Sequence, residues 1–234
     1  MIAVIPAHNE SASLPALIEE LRRGVPELEL LVVDDGSTDE TPALLPRLGV
    51  RWLRLPLRLG IGTALRAGLT YARFLGHDTV VRLDADGQHD PRDIATLLLP
   101  LREGNVDAVV GSRHLRDGGY RAPFLRRALQ RLVALAVSSV TGRSISDPTS
   151  GFWVFGPRAV ALLATAHPTG YAEPELHLLL WRNQLAVVEA PVTMRERSGG
   201  SSTLTVPRAA WALSRVLLAL AIAPLRSLER RANE

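Results

Sequence analysis

Two acidic clusters, each at the end of an apolar run, are the residues of this chain best suited to chemistry. A run rich in leucine and valine leads into Asp34 and Asp35, and a second apolar run leads into Asp84 and Asp86. Several carboxylates at one place repel one another unless a cation lies among them. Hard oxygen ligands of this kind suit Mg²⁺ or Mn²⁺, and such an ion often carries a substrate diphosphate. The clusters therefore predict a divalent metal site that binds a phosphorylated ligand.

The second cluster continues as DADGQHDP, and its spacing suggests how a metal is held. Side chains alternate along a strand, so Asp84 and Asp86 are predicted to face the same ion. Gln88 or His89 then supplies a further ligand. Asp90 is better explained as the N-cap of a following helix that has proline at its first position. Asp-x-Asp alone is a weak signal, but its place between a strand and a helix favours a metal role.

The first cluster continues as DDGSTD and offers ligands of another kind. Either Asp34 or Asp35 is predicted to accept hydrogen bonds from a nucleobase or from ribose hydroxyls, although a capping turn also explains them. Glu10, after the first strand, either holds a ribose or only follows a helix cap. Gly60 opens a helix, where its amide either approaches a ligand or merely shapes the helix start. These alternatives stay open at the level of sequence.

These residues need a scaffold that gathers strand ends, and the first half of the sequence predicts one. Strand-like runs alternate with helix-like segments, which is typical of right-handed βαβ units and a parallel sheet. In open α/β sheets, ligands bind beyond the carboxyl ends of the strands. Asn9 or Ser11 is expected to cap the first helix. The strands are predicted at 2–6, 29–33, 50–55, 79–83 and 106–110, and the helices at 12–23, 62–75 and 92–102.

The second half is less regular. Its predicted elements are helices at 125–140, 158–166 and 175–183, a turn-rich segment at 142–152, a strand at 185–192 and a polar loop at 198–203. The apolar stretch 207–225 is interrupted by Arg215, and a membrane span needs about 20 apolar residues. A helix packed on the domain or on a dimer partner, or one lying on a membrane surface, is expected instead. The predicted organisation is one domain at 1–205 and a helical tail at 206–234.

Composition excludes several classes of protein. The chain has 234 residues, 47% hydrophobic and 22% charged, which is typical of a folded globular protein. It has no cysteine, so disulfides, thiolate zinc sites and a cysteine nucleophile are excluded. The net charge is +3, and the few aromatic residues are not interleaved with basic stretches, so nucleic acid is not a predicted partner. The first strand starts at once, without signal-peptide features, which predicts a cytoplasmic protein.

Taken in order, the motifs resemble a known family. PAHNE, VVDDGSTD, GIG, DADGQHD, GSR, DPTSGF and R-x-x-G-x-S cover nearly all of residues 2–204. This order resembles the family-2 glycosyltransferases of GT-A fold, and within them the polyprenyl-phosphate (dolichyl-phosphate-type) sugar transferases and bacterial cell-surface polysaccharide glycosyltransferases. The resemblance implies an α/β fold with a mostly parallel central sheet flanked by helices. It also implies inverting transfer from a nucleotide-diphosphate sugar, with a divalent metal on the diphosphate.

The resemblance implies a role for each matching residue. The nucleotide sugar would be bordered by Pro6, His8, Glu10, Asp34, Asp35, Gly60 and Asp84, and the metal would be held by Asp84, Asp86 and Gln88. Arg113 of the GSR motif and Arg197 of the last loop would face the diphosphate or an acceptor phosphate. The sequence departs from the family pattern at Arg58 and Thr203, where asparagine and lysine are frequent.

The acceptor decides whether a base is needed. A lipid phosphate is already anionic and needs no strong base, whereas a sugar hydroxyl needs a carboxylate within hydrogen-bond reach. Glu173 and Glu175 are the candidates, although acidic residues are also favourable at any helix N-terminus. An arginine cluster either meets lipid head groups or forms a solvated face. Its members are Arg113, Arg116, Arg121, Arg126, Arg127 and Arg131.

The leading hypothesis is metal-dependent transfer of a sugar from a UDP-, GDP- or dTDP-sugar to a polyprenyl phosphate or a lipid-linked glycan. The enzyme is expected at the inner face of the cell membrane, in peripheral contact, either as a monomer or as a homo-oligomer. A polysaccharide glycosyltransferase with a hydroxyl acceptor is the first alternative. A sugar nucleotidyltransferase, which also uses paired aspartates and Mg²⁺, is the second. A nucleotide-sugar sensor without catalytic activity is the third.

Overall fold

The computed structural model describes residues 1–115, 124–169 and 172–195 of the chain. Within these ranges, seven strands form one sheet that helices cover on both faces. The strands are β1 (Ile2–Ala7), β2 (Glu29–Asp34), β3 (Arg51–Arg54), β4 (Val80–Arg82), β5 (Ala108–Ser112), β6 (Trp153–Phe155) and β7 (Val187–Pro191). The α-helices are α1 (Leu14–Gly24), α2 (Thr41–Leu44), α3 (Ile61–Phe74), α4 (Ile94–Arg102), α5 (Phe124–Thr141), α6 (Pro157–Ala166) and α7 (Ala172–Arg182).

The strand order is β3-β2-β1-β4-β6-β5-β7, and every pairing is parallel except the two that β6 makes. The predicted α/β class with a mostly parallel sheet is therefore confirmed. Strand β6 was not predicted. Its three residues are wholly buried between β4 and β5, and a run so short carries no periodic signal.

Alternating side chains of the buried strands supply two apolar layers. Ala3 and Ile5 of β1 pack with α1 and α4 on one face of the sheet. Ile2 and Val4 pack with α3, α6 and α7 on the other face. Each such side chain, when fully buried, stabilises the fold by roughly 1.5–3 kcal/mol. The two layers together hold the sheet, and with it the loops at its carboxyl edge, in a fixed position.

The first helix begins differently from the prediction. Helix α1 starts at Leu14, its N-cap residue is Ser13, and no side chain caps it. The prediction that Asn9 or Ser11 caps the helix is wrong. Both side chains instead bind the loop after β2, because the two loops lie side by side at the same edge of the sheet.

The backbone of the second acidic cluster also differs from the prediction. Strand β4 ends at Arg82, so Asp84 and Asp86 lie in the turn beyond it. The strand alternation that predicted a common face for these two residues therefore does not apply. By contrast, the Asp90 N-cap is confirmed, since its carboxylate accepts the main-chain N–H of Arg92 at 3.0 Å.

Two predicted elements fall outside the described residues: the polar loop at 198–203 and the tail at 206–234. The domain boundary at 205 stays a prediction for the same reason. Among the helices that the structure describes, none is long and apolar enough to cross a membrane.

Candidate functional site at the carboxyl edge of the sheet

The loops after β1 and β2 are joined by side-chain hydrogen bonds. Asn9 Oδ1 accepts the main-chain N–H groups of Thr38 at 2.8 Å and Asp39 at 3.3 Å. The hydroxyl of Ser11 donates to Asp39 Oδ2 at 2.7 Å. Burial alone would raise the pKa of Asp39, but hydrogen bonds from Thr41 and Ser11 outweigh it and lower the pKa to about 2. The two loops therefore form one fixed wall of the site.

The aspartates at the end of β2 are buried and hold main-chain amides. Asp34 Oδ1 accepts the N–H of Ser37 at 2.8 Å. The carboxylate of Asp35 accepts the N–H groups of Leu59 at 2.7 Å and Gly60 at 2.9 Å. These bonds attach the start of α3 to the end of β2. A direct contact of Asp34 or Asp35 with a nucleotide stays a prediction.

Gly36 makes this turn possible. Its φ is +64°, and a Cβ atom at this position would lie 2.4 Å from the carbonyl carbon of Leu57. A side chain would therefore separate the turn after β2 from the loop that leads to α3.

The predicted nucleotide contacts of β1 gather beside this turn. Pro6 is buried in β1 next to Val33 of β2. His8 is partly exposed and donates from Nδ1 to the main-chain oxygen of Asp35 at 2.8 Å. Glu10 is also partly exposed, and its Oε2 accepts the hydroxyl of Ser13 at 2.7 Å. His8 and Glu10 thus lie at the rim between β1 and β2, and their role there stays a prediction.

Asp84 is closely surrounded by other residues, yet one of its carboxylate oxygens lacks a hydrogen-bond partner among the described residues. Its main-chain N–H donates to His89 Nδ1 at 3.1 Å. A Cβ atom at position 151 would lie 2.6 Å from Asp84 Oδ2, so only glycine allows this approach. Asp84 Oδ1 is buried and has no hydrogen-bond partner among the described residues. Nη2 of Arg82 lies 3.9 Å from this oxygen.

The rest of the turn is attached to the segment after β7. Asp86 is buried, and its Oδ1 accepts the main-chain N–H of Gln88 at 3.0 Å. Gln88 in turn binds Arg195 through both its main-chain oxygen and its side-chain amide. His89 is buried and stacks on Phe152, with ring centroids 4.8 Å apart. Of the two proposed additional ligands, Gln88 is therefore the one near the surface.

His89 is a neutral group. Burial lowers the pKa of His89, and the charges of Asp84 and Asp86 do not reverse the shift. Because Nδ1 accepts the N–H of Asp84, the ring proton lies on Nε2. His89 thus positions Asp84 without adding charge to the turn.

The donor set fits a hard divalent ion. Asp84 and Asp86 supply carboxylate oxygens. Oδ1 of Asp84, buried and without a hydrogen-bond partner among the described residues, is the kind of atom that a cation would satisfy. Among the described residues, no three histidine, aspartate or glutamate side chains come close enough to hold a metal on their own. Ligands from a bound diphosphate would therefore have to complete the coordination sphere.

The side chain of Arg113 binds other residues of the protein. Its guanidinium is buried and forms two bonds of 2.6 Å with the carboxylate of Asp147. It also donates to the hydroxyl of Thr149 at 2.7 Å. Burial would raise the pKa of Asp147, but the hydrogen bonds and charge of Arg113 lower it overall. Contact of Arg113 with a phosphate stays a prediction, whereas its support of the 147–151 turn is a structural fact.

The two predicted bases lie at the start of α7. Glu173 Oε1 lies 2.6 Å from Nη2 of Arg82, and Glu175 is partly buried. Arg197, Arg116 and Arg121 lie outside the described residues.

Sequence reasoning overlooked Arg82. It is the last residue of β4 and is 1% exposed. A sequence signal for Arg82 does exist: it is a charged residue inside the apolar run before the DAD turn, where charged residues are rarely found.

Comparison with known structures defines the class of protein. A crystal structure of glucosyl-3-phosphoglycerate synthase from Mycobacterium tuberculosis with phosphoglyceric acid matches at a TM-score of 0.71 and 23% identity. The match covers 95% of this chain and 79% of that one. The complex of the same synthase with Mn²⁺, UDP and glucosyl-3-phosphoglycerate matches at 0.69, again at 23% identity, covering 95% and 78%. The fold is the GT-A glycosyltransferase fold.

The family follows from sequence. Residues 2–160 match the glycosyl transferase family 2 model, so the chain belongs to this family and is a glycosyltransferase. It is 30% identical over 214 residues to the polyprenol monophosphomannose synthase of Mycolicibacterium smegmatis, covering 87% of this chain and 80% of that protein. It is 31% identical over 215 residues to the undecaprenyl-phosphate mannosyltransferase of Micrococcus luteus, covering 88% and 87%. The family was predicted correctly, and neither the nucleotidyltransferase nor the sensor alternative is supported.

Proposed function

We propose that this glycosyltransferase moves a sugar from a nucleotide-diphosphate sugar to a polyprenyl phosphate, with a divalent cation and with inversion at the anomeric carbon. The observation that carries the proposal is Asp84 at the carboxyl edge of the sheet, whose buried Oδ1 has no hydrogen-bond partner among the described residues. The relatives from Mycolicibacterium and Micrococcus support the acceptor, because both are named for transfer to a polyprenyl phosphate.

The donor would lie across the ends of β1, β2 and β4. The rim formed by His8 and Glu10 would border the nucleoside, and the wall behind it is already fixed by hydrogen bonds. Asp84, Asp86 and Gln88 would hold the cation on the diphosphate. A bound dication neutralises the charge that develops on the leaving nucleoside diphosphate.

The acceptor side of the site would lie near α7 and the segment after β7. A polyprenyl phosphate attacks through an oxygen that is already ionised, so no residue has to remove a proton. Arg197 is the predicted phosphate contact on that side. Glu175 remains the candidate base for the alternative in which a sugar hydroxyl of a lipid-linked glycan or polysaccharide is the acceptor.

A lipid acceptor also calls for contact with a membrane surface, and helix α5 offers one. Leu132 and Leu135 are exposed, at 47% and 69%. Arg127 and Arg131 are exposed on the same helix. Apolar side chains with arginines beside them suit the boundary of an anionic membrane. We therefore propose peripheral attachment at the inner face of the cell membrane.

The test uses the full chain in two stages. Thermal unfolding is first measured with UDP, GDP and dTDP, each with and without Mn²⁺, because a ligand that binds the native state raises its apparent stability. One nucleotide is expected to raise the unfolding temperature, and only with the metal. The corresponding sugar nucleotides are then incubated with undecaprenyl phosphate, and the lipid fraction is assayed for sugar.

A sugar bound to the lipid phosphate would support the proposal. Transfer only to a hydroxyl acceptor would favour the polysaccharide alternative. Release of pyrophosphate, or nucleotide binding without any transfer, would contradict the proposal.

A further inference from the structure

Arg82 places a buried positive charge directly beneath the acidic turn. Its Nη2 lies 2.6 Å from Glu173 Oε1 and 3.9 Å from Asp84 Oδ1. Its Nε and Nη1 are buried and have no hydrogen-bond partner among the described residues. Among the described residues, the guanidinium therefore contacts carboxylates only through Nη2, and both of these carboxylates belong to the predicted site.

Packing alone does not explain why position 82 carries an arginine rather than an apolar residue. The neighbouring residues Val80, Val81 and Leu83 are all wholly buried, so the rest of this strand segment is apolar. Burying a guanidinium with unsatisfied nitrogens is costly, and an apolar residue would avoid that cost. The charge therefore needs an explanation in terms of what it touches.

The local charge balance supplies that explanation. The guanidinium of Arg82 lies within 3.9 Å of two carboxylates of the predicted site, those of Glu173 and Asp84. Its positive charge offsets that of Glu173 and faces Oδ1 of Asp84. Without Arg82, Glu173 would be a further carboxylate able to compete with Asp84 and Asp86 for the ion.

The nearby histidine does not change this balance. His167 is buried next to α6, and its Nδ1 donates to the main-chain oxygen of Pro168 at 2.9 Å. Burial, followed by the positive charge of Arg82, lowers the pKa of His167 to about 4. The imidazole is neutral near pH 7, so Arg82 is the cation that Glu173 meets.

We propose that Arg82 is a positioning residue: it fixes Glu173 in a buried ion pair, so that Glu173 is not a general base, and it keeps Asp84 directed toward the metal position. This inference rests on the proposed function, since it concerns how that site is assembled. It reassigns Glu173 from the chemical role predicted by sequence to a structural one. Glu175 then remains the candidate base for a hydroxyl acceptor.

The experiment is a double-mutant cycle with Arg82→Met, Glu173→Gln and the double variant. If Glu173 only pairs with Arg82, Glu173→Gln keeps an acceptor for the guanidinium, and kcat stays within about threefold of wild type. Arg82→Met leaves a buried, uncompensated carboxylate, and kcat/KM is expected to fall by about tenfold or more. The double variant is expected to recover part of that loss, because the unpaired charge is gone.

A second readout does not depend on turnover. Affinity for the nucleoside diphosphate is measured by calorimetry with and without Mn²⁺. The affinity with Mn²⁺ is expected to fall about tenfold in Arg82→Met and to return to within about threefold of wild type in the double variant. The affinity without Mn²⁺ is expected to be unchanged in all three variants. Arg158→Met, which breaks an exposed ion pair with Asp107, is the control.

The outcomes separate the two proposals. If Glu173→Gln alone lowers kcat by about 10²-fold or more with metal-dependent binding intact, Glu173 is the base and the inference is overturned. Multiplicative effects of the two substitutions would overturn it as well. If Arg82→Met does not fold, Arg82→Lys keeps the charge and is expected to retain Mn²⁺-dependent binding; its loss would count against the inference. A wild-type chain that neither binds nucleotide nor transfers sugar would refute the proposed function instead.

Discussion

The carboxyl edge of the sheet has two halves that satisfy their carboxylates differently. In the half built from β1 and β2, which we call the amide-bonded half, Asp34, Asp35 and Asp39 accept main-chain N–H groups. In the half built from β4, β5 and α7, which we call the charge-paired half, Asp147 and Glu173 are instead paired with buried guanidinium groups.

This difference indicates where a ligand can change the structure and where it cannot. Bonds to main-chain amides fix loops locally before any ligand arrives. Asp34 Oδ2 is buried in this half without a hydrogen-bond partner among the described residues, but it lies 3.4 Å from Nε of Arg54. The charge-paired half is incomplete, because Asp84 Oδ1 and two nitrogens of Arg82 have no hydrogen-bond partner among the described residues. We therefore expect substitutions in the first half to act on stability, and those near Asp84 to act on binding and turnover.

The largest effect is expected from breaking the most buried ion pair. Arg113→Met leaves Asp147 as an uncompensated buried charge, which should destabilise the fold by about 3–5 kcal/mol. Denaturant unfolding measures this directly. The control is Arg158→Met: the Arg158 side chain is 65% exposed in its ion pair with Asp107, so the loss should be about 0–1 kcal/mol. Equal losses in both variants would show that burial of the ion pair does not matter.

The next effect concerns activity rather than stability. Asp84→Asn removes the charge of the carboxylate whose Oδ1 has no hydrogen-bond partner among the described residues. Turnover should therefore fall by about 10²–10³-fold, while the unfolding temperature should hardly change. Turnover and thermal unfolding are measured on the same preparation. Asp78→Asn, exposed just before the same strand, is the matched control. Retained activity in Asp84→Asn would refute the role of this residue.

The sequence predicted the local features of the fold better than the distant ones. The Asp90 cap depends on residues two positions apart, so the pattern Asp-Pro was sufficient to predict it. The pair of Arg82 with Glu173 joins residues 91 positions apart, and no local pattern indicates it. Strand β6 was overlooked for a related reason: it is antiparallel within an otherwise parallel sheet, and only its neighbours β4 and β5 define it. The acidic turns were predicted as a site because several carboxylates at strand ends need a cation wherever the chain brings them together.

The smallest effect is expected in the amide-bonded half, where the stability contributed by Asp39 depends on pH. The pKa of Asp39 is lowered to about 2 in the folded chain, so its hydrogen bonds to Thr41 and Ser11 stabilise the fold above the unfolded pKa near 3.8. That contribution should be lost as the pH falls from about 4 to about 2. Because Asp39 is partly exposed, we expect a loss of only about 1 kcal/mol. Unfolding curves of wild type and Asp39→Asn over this range measure it: the stability difference between the two should shrink as Asp39 is protonated. A difference that stays constant down to pH 2 would mean that charge plays no part in joining the two loops.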